Sequence, residues 1–152
     1  MTGKIAVLNG PNLGRLGVRE PERYGTDTLP EVITRCRALA ADRGVELVDF
    51  QSNHEGALVD RIEAWTDEGV VGVVVNAGAF THTSVALRDA LVGSGLPFME
   101  VHITNVHARE GFRSRSYLSD VAVGLVVGCG TLGYELALSA LLRHLDKDSA
   151  HS

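Results

Sequence analysis

The chain has 152 residues, of which 45% are hydrophobic and 22% are charged, and its formal net charge is −5 at pH 7. This length and apolar content predict one compact domain over residues 1–146, followed by a polar tail at 147–152 that we expect to be disordered. The net negative charge argues against nucleic-acid binding, which requires clustered basic surface. Two cysteines give no disulfide framework. With no signal peptide or membrane-spanning run evident, we expect a cytoplasmic protein.

The first predicted strand, Lys4–Leu8, leads into a long polar segment that ends at Gly25. Glycines in this segment permit unusual backbone angles, while Pro11 and Pro21 restrict the chain. A polar loop of this length is usually functional or disordered. The mixture of glycine and proline indicates a shaped, mobile loop, and we predict that it is an active-site lid.

Tyr24 lies in this segment together with Arg15, Arg19 and Arg23. A cation close to a phenol favours the phenolate, which can act as a base in catalysis. Tyr24 is therefore a candidate general base. On this residue alone, a surface tyrosine on a basic loop is the more common explanation.

Two copies of a helix-capping pattern follow, each with a glutamate three residues after a Ser or Thr. Thr28 is predicted to cap a helix that ends at about Arg43, and Ser52 is predicted to cap a helix that Gly69 ends. The second predicted strand, Val45–Gln51, lies between these helices.

The run Val70–Val75 is apolar at every position, which is typical of a parallel strand in the middle of a sheet with helices on both faces. The remaining predicted elements are a helix at about Thr83–Val92, strands at Phe98–His102 and Val121–Val127, and a helix from Leu132 to about Leu145. Strictly alternating strands and helices predict an α/β fold. The expected architecture is a flavodoxin-like, doubly wound, three-layer sandwich with a five-stranded parallel sheet in the order 2-1-3-4-5.

Polar side chains cluster where three of these strands end, which is where open α/β sheets bind ligands. They are Asn9 and Asn12 after the first strand, Asn76 and His82 after the third, and Glu100, His102, Thr104, Asn105 and His107 at the fourth. Taken singly, Asn76 can be a helix cap, and a lone histidine is more often structural than catalytic. Glu100 and His102 lie two residues apart, so they share one face of the strand. The carboxylate can then support the imidazole as a general acid.

Other motifs point to no cofactor. The glycine-rich run 128–133 matches a dinucleotide-binding fingerprint, but no βαβ unit and no ribose-binding acid follow it. We interpret its glycines as the turn between the fifth strand and the last helix, with Cys129 as a buried small residue. His102 and His107 lack the spacing of a metal site, so no metal is expected.

Five segments together resemble the type II 3-dehydroquinate dehydratase family. They are Leu8–Leu13, Arg19–Pro21 with Tyr24 and Gly25, Gln51–Gly56, Asn76–Ser84, and Glu100–Ile103 with Asn105–Glu110. They occur in the family's order and span nearly the whole chain. The resemblance implies that water is eliminated from 3-dehydroquinate to give 3-dehydroshikimate in the shikimate pathway, without a metal or organic cofactor. It also implies a homododecamer built as a tetramer of trimers.

The resemblance also implies catalytic roles. Tyr24 resembles the lid base that removes the C2 proton, Arg19 the arginine that closes with it, and Arg109 the arginine placed near the phenol. Removing a proton next to a ketone creates an enolate, and Asn12 resembles the residue that holds a water against the enolate oxygen.

On the acid side, His102 resembles the group that protonates the leaving C1 hydroxyl, with Glu100 behind it. Substrate-binding roles are implied in the same way. Asn76 and the backbone amides of Ile103 and Thr104 match the part that holds the carboxylate and the C1 hydroxyl.

His82 and Arg113 match the residues that hold the ring hydroxyls, and Asp89 resembles an acid that reaches the site of a neighbouring subunit. Two departures from the family stand out. Thr104 replaces the common serine and adds a methyl group that stiffens χ1. Gly14-Arg15 replaces the common Asn-Leu, which bears on the flexibility of the lid.

Two other classes of protein are alternatives to this interpretation. A non-catalytic flavodoxin-like module for a small ligand or phosphate would use the same loops, but it would not need Tyr24 together with a supported His102. A signalling receiver domain needs acidic residues after the first and third strands, where Asn9, Asn12 and Asn76 stand.

Overall fold

The structure is a computed structural model that describes residues 3–151. Its centre is a parallel sheet with strands β1 Lys4–Asn9, β2 Glu46–Gln51, β3 Val70–Asn76, β4 Phe98–His102 and β5 Gly124–Val127. The five strands lie in the order β2-β1-β3-β4-β5, and each neighbouring pair is parallel. The predicted flavodoxin-like architecture is confirmed, and the apolar strand β3 lies in the middle of the sheet.

Helices cover both faces of this sheet. They are α2 Leu29–Asp42, α3 Glu55–Asp67, α4 Val85–Ser94 and α5 Leu132–His151. A further helix, α1 Pro21–Tyr24, is a single turn before α2 and has no buried residue. Side chains of α2 and α5 form one apolar core with Ile5 and Val7, while α3 and α4 form a second core with Ala6 and Leu8. Because successive residues of a strand point to opposite faces, β1 contributes to both cores.

Local hydrogen bonds explain where two of the helices begin. Thr28 Oγ1 accepts the N–H of Glu31 at 3.4 Å, as the capping pattern predicts. The prediction for Ser52 was wrong, because its N–H still bonds to the carbonyl oxygen of Asn9 at the sheet. Its hydroxyl accepts the N–H of His54 at 3.0 Å, a local turn, so α3 begins only after His54.

The structure also shifts the bounds of α4 and β5. α4 begins after Ser84, whose Oγ accepts the N–H of Leu87 at 2.8 Å, because residues 78–82 form a separate 3-10 turn. β5 lacks its first three predicted residues, since the N–H groups of Val121 and Ala122 bond to Leu118 in a turn.

The last helix, α5, continues to His151, past the predicted end near Leu145. Ser152 lies outside the described residues, and the disorder expected for 147–152 stays a prediction. No helix in the part of the chain that the structure describes combines the length and the apolar character needed to cross a membrane.

The glycine-rich run 128–133 forms the turn between β5 and α5, as predicted. Gly128 and Gly130 have positive φ angles of 83° and 64°, and their N–H groups bond to carbonyl oxygens at the end of β4 and just beyond it. The prediction that Cys129 is buried was wrong, because this turn leaves its side chain exposed.

Candidate active site

A pocket of about 180 Å³ opens at the carboxyl ends of β1, β3 and β4. It is lined by Pro11, Asn12, Leu13, Arg19, Tyr24, Asn76, Gly78, Ala79, His82, His102, Ile103, Thr104, Val106, Arg109 and Arg113. Of the predicted catalytic and substrate-binding residues, all but Glu100 and Asp89 therefore line one pocket. The other polar residues expected at these strand ends, Asn9, Asn105 and His107, do not line it.

The segment between β1 and α2 forms one wall of this pocket. It contains a 3-10 turn at Leu13–Arg15 as well as α1, neither of which was predicted. Asn12 has a left-handed φ of 70°, and its N–H donates to Asn53 Oδ1 at 3.0 Å. Gly17 lies so close to the far end of the segment that a Cβ would be 2.8 Å from the carbonyl oxygen of Thr26. A side chain at Gly17 would therefore push the middle of the segment away from Thr26.

Two guanidinium groups contact Tyr24. Arg109 Nη1 donates to the phenol oxygen at 2.9 Å, and the Cζ atom of Arg19 lies 5.1 Å from the ring centroid. The side chain of Arg109 is 13% exposed and that of Arg19 is 41% exposed, so solvent screens Arg109 less. Arg109 therefore places a hydrogen-bond donor and a positive charge at the phenol oxygen.

The proximity of Arg15 and Arg23 in the sequence was misleading. Arg23 turns to Glu20, with Nε 3.7 Å from Oε1, and Arg15 is an exposed residue of the 3-10 turn. The hydrogen bond to Tyr24 comes instead from Arg109, which is 85 positions away in the sequence. The fold, and not the local sequence, supplies this cation.

Glu100 and His102 form a buried pair on β4. Their side chains are 1% and 7% exposed, and Nε2 of His102 is hydrogen-bonded to Oε2 of Glu100. The spacing of the two residues predicted this contact. Because the carboxylate binds Nε2, Nδ1 is the ring nitrogen that remains to exchange a proton with a ligand.

Hydroxyl groups support Glu100 from behind. Ser119 Oγ donates to Oε1 at 2.8 Å, and Thr81 Oγ1 donates to Oε2 at 3.3 Å. Burial raises the pKa of Glu100, but the hydrogen bond and the charge of His102, together with hydrogen bonds from Ser119 and Ser116, outweigh burial and hold this pKa below its usual value. The carboxylate is therefore ionised and accepts the hydrogen bond from His102 Nε2. Neither hydroxyl was predicted from the sequence, because a buried carboxylate needs hydrogen-bond donors but no sequence spacing identifies them.

His82 and Arg113 lie beside this pair. The rings of His82 and His102 stack with centroids 6.5 Å apart. Nδ1 of His82 donates to the carbonyl oxygen of Arg115 at 2.7 Å, which leaves Nε2 as the acceptor of the neutral ring. Partial burial lowers the pKa of His82, against the opposing effect of this hydrogen bond, so the ring is neutral at pH 7. Arg113 is oriented by Glu110, whose Oε2 accepts from Nε at 2.7 Å.

Asn76, the last residue of β3, is a nearly buried part of the pocket lining. Its Oδ1 accepts the N–H of Gly78 at 3.1 Å, and its Nδ2 donates to the hydroxyl of Tyr134 at 2.8 Å. Thr104 keeps the hydroxyl of the more common serine, and this oxygen lies 3.4 Å from Arg109 Nη1. Tyr134 was also missed, although a tyrosine on the apolar face of a helix signals a buried partner for its hydroxyl.

Asp89 lies outside the pocket, on α4, beside a surface depression that Glu63 and Asp67 also line. Its role in the site of a neighbouring subunit stays a prediction. Among residues 3–148, whose side chains the structure describes, no group of three or more His, Cys, Asp or Glu residues could hold a metal ion.

Comparisons with known proteins point to one family. The model of the family described as Dehydroquinase class II matches residues 3–142. The chain is 56% identical over 142 residues to "3-dehydroquinate dehydratase" of Halorhodospira halophila, which covers 93% of this chain and 96% of the relative. It is 59% identical over 141 residues to "Catabolic 3-dehydroquinase 2" of Aspergillus flavus, which covers 93% of each chain.

Structural similarity agrees with these matches. The crystal structure of the type II dehydroquinase from Propionibacterium acnes matches with a TM-score of 0.86 at 42% identity, over 93% of this chain and 97% of that one. A shared fold alone would not indicate a shared function. Here the family model, the sequence identities and the residues that line the pocket all agree. The chain therefore belongs to the class II dehydroquinase family.

Proposed function

We propose that this chain is a hydro-lyase that eliminates water from 3-dehydroquinate to give 3-dehydroshikimate, a step of the shikimate pathway, with Tyr24 as the base and His102 as the acid. The observation that carries these two roles is that the phenol held by Arg109 and the imidazole held by Glu100 line one pocket. An elimination needs one group that is ready to accept a proton and another that is ready to donate one.

In the first step, the phenolate of Tyr24 takes a proton from C2, next to the ketone. The C–H electrons move into an enolate, and the proton passes to the phenolate oxygen. Arg109 donates to that oxygen, and Arg19 lies over the ring, so both stabilise the phenolate before the transfer. Asn12 binds the enolate oxygen through a water.

In the second step, the enolate collapses, the C1–C2 double bond forms and the C1–O bond breaks. His102 gives its proton to the departing hydroxyl, which leaves as water. Glu100 is ionised and bonded to Nε2, so it stabilises the imidazolium before this transfer. The protons return to their starting positions after the product leaves.

The remaining predicted residues bind the substrate. Asn76 and the backbone amides of Ile103 and Thr104 hold the carboxylate and the C1 hydroxyl. His82 and Arg113 hold the ring hydroxyls, and the neutral Nε2 of His82 can accept a hydrogen bond from a hydroxyl group. A non-catalytic binding module would have no use for the Tyr24–Arg109 contact, so this alternative is not favoured.

The experiment that tests this function follows the conjugated enone of the product by ultraviolet absorbance. The purified chain is expected to convert 3-dehydroquinate at the same rate with and without excess EDTA. Treatment with borohydride in the presence of substrate should leave the activity intact, because no lysine forms an imine in this mechanism. Inactivation by borohydride would contradict an enolate route.

We further propose a cytoplasmic homododecamer, a tetramer of trimers, in which Asp89 reaches a neighbouring subunit's site. The apolar side chains of Val123 and Leu125 are 41% and 46% exposed at the edge strand β5 and its approach, which supports contact with another copy. Analytical ultracentrifugation tests the assembly, and a monomer would contradict it. Fractionation of cells with an antibody against the chain tests the location.

A further inference from the structure

Beneath the pocket lies a buried hydrogen-bonded chain that the proposed proton transfers do not use. The hydroxyl of Tyr134 donates to Asn9 Oδ1 at 2.6 Å, and Nδ2 of Asn76 donates to the oxygen of Tyr134 at 2.8 Å. Tyr134 and Asn9 are fully buried, and Asn76 is 3% exposed. Of the three residues, Asn76 alone lines the pocket.

The direction of each hydrogen bond made by Asn76 and Tyr134 follows from their partners. The N–H of Gly78 can only donate, so the Asn76 atom that lies 3.1 Å from it is the carbonyl oxygen. Burial raises the pKa of Tyr134, so the hydroxyl keeps its hydrogen. That hydrogen is given to Asn9, and the hydroxyl oxygen accepts from Asn76. Both neighbours therefore impose the same orientation on the carboxamide of Asn76, and its second N–H remains for a ligand.

The arrangement costs folding free energy. Nδ2 of Asn9 is buried without a hydrogen-bond partner among the described residues. An unsatisfied buried donor destabilises a fold by roughly 1–3 kcal/mol. A phenylalanine at position 134 with an apolar residue at position 9 would pack in the same place without this cost. Asn76 is the one of the three residues that lines the pocket, so a ligand can contact these hydrogen-bonded residues only at Asn76.

We propose that Tyr134 is a positioning residue that fixes the Asn76 carboxamide as a hydrogen-bond donor to an oxygen of the substrate. This inference rests on the proposed function, in which Asn76 holds the carboxylate and the C1 hydroxyl. Tyr134 is fully buried and acts only through Asn76. It therefore sets the affinity for substrate and selects an oxygen acceptor at this position, while proton transfer depends on other residues.

The first test is the variant Tyr134→Phe, which keeps the ring in the apolar core and removes only the hydroxyl. KM for 3-dehydroquinate is expected to rise about tenfold, as for the loss of one hydrogen bond to a charged group. kcat should stay within about twofold, and the pH profile should not move. Tyr117→Phe is the matched control, because the Tyr117 hydroxyl makes no hydrogen bond within the described residues. An unchanged KM, or a loss confined to kcat, would overturn the inference.

A double-mutant cycle shows whether Tyr134 acts through Asn76. The variant Asn76→Ala removes the carboxamide, so adding Tyr134→Phe should change KM by no more than about twofold. Independent effects that multiply in the double variant would show that Tyr134 acts by another route, and they would overturn the inference. If Tyr134→Phe does not fold, Asn9→Ala replaces it. Loss of the Asn9 acceptor frees the hydroxyl hydrogen to turn towards Asn76, so KM should rise there too, and an unchanged KM would again overturn the inference.

Binding separates this inference from the proposed function. In a Tyr24→Phe background, turnover is slow and calorimetry can measure the Kd of 3-dehydroquinate directly. Adding Tyr134→Phe is expected to raise this Kd about tenfold, as for the loss of one hydrogen bond to a charged group. An equal Kd overturns the inference. Failure of the unmodified chain to form 3-dehydroshikimate would instead contradict the proposed function, and it would leave the comparison of Kd values valid.

Discussion

The proposed base and the proposed acid lie in regions of opposite character. Tyr24 is on α1, a single turn without a buried residue. The ion pairs beside it, which Glu20 makes with Arg19 and Arg23, join side chains that are about 40% exposed. His102 is on β4, where every residue is buried. The proposed acid is therefore held by buried partners in the core of the sheet. The position of the proposed base depends on how the segment between β1 and α2 lies against Arg109.

The largest expected effect is a loss of turnover, and variants of both Tyr24 and His102 should show it. Tyr24→Phe and His102→Ala are each expected to lower kcat by at least about a hundredfold, as loss of a general acid or base does. The enone absorbance assay measures both variants. Turnover by Tyr24→Phe close to that of the unmodified chain would show that the segment is only a cover and that the base lies elsewhere.

Thermal unfolding should separate the same two variants. His102→Ala leaves the buried Glu100 carboxylate without its main partner, which destabilises the fold by about 2 kcal/mol. Tyr24→Phe changes a partly exposed turn and should leave Tm unchanged. Calorimetry on both proteins checks the difference. An equal fall in Tm would contradict the contrast between a rigid acid and a base on a loosely held turn.

The arginines at Tyr24 should differ in their effect on the pH dependence of kcat/KM. Arg109→Gln is expected to move the rising limb of the profile to higher pH, because the proposed phenolate loses its hydrogen-bond donor and a poorly screened positive charge. Arg19→Gln should move it less, since Arg19 is more exposed. Arg19→Lys, which keeps the charge but not the planar group, should keep the pH profile while lowering kcat. Unchanged profiles with a raised KM in both glutamine variants would show that the arginines only bind substrate.

Removing one support of the acid should have a smaller effect. Ser119→Ala takes away the 2.8 Å hydrogen bond to Glu100. We expect kcat to fall several-fold and the free energy of unfolding to fall by roughly 1 kcal/mol. Ser139→Ala is the matched control, because Ser139 lies on α5 and does not line the pocket. Equal kinetics in the two variants would show that Ser119 does not influence His102.

Glu100 should also make stability depend on pH. Its pKa is lowered by folding despite its burial, so its contribution to stability is present above its usual pKa of 4.5 and is lost as the pH falls through the lower folded value. Chemical denaturation at pH 7 and at successively lower pH measures the contribution. Glu100→Gln should be less stable at pH 7 and should lose less stability on acidification. A Glu100→Gln variant with the pH dependence of the unmodified chain would contradict this.

The contrast between the two regions also explains what could be predicted from the sequence. The apolar run Val70–Val75 predicts a central strand because hydrophobic burial determines it directly. The contact between Glu100 and His102 follows from the period of a strand. The helical turn α1, in the segment between β1 and α2, was not predicted, because a short turn of polar residues has no hydrophobic periodicity.

Long-range contacts account for the other features of the structure that were not predicted from local sequence patterns. Arg109 and Tyr134 reach their partners across the fold, and no local pattern marks such pairs. The resemblance to a known family indicated Arg109, and nothing in the sequence indicated Tyr134 as the support of Asn76. At Ser52 a local turn replaced the predicted cap, because the strand before it holds the backbone at the sheet.

The division of labour between Tyr24 and His102 is tested most directly by hydrogen exchange at C2 of 3-dehydroquinate, followed by proton NMR in D2O. His102→Ala retains the base, so it should form the enolate reversibly and wash deuterium into C2 while making little 3-dehydroshikimate. Tyr24→Phe retains the acid but lacks the base, and it should exchange C2 no faster than buffer does. Exchange by Tyr24→Phe at the rate of His102→Ala would contradict the assignment of Tyr24 as the base.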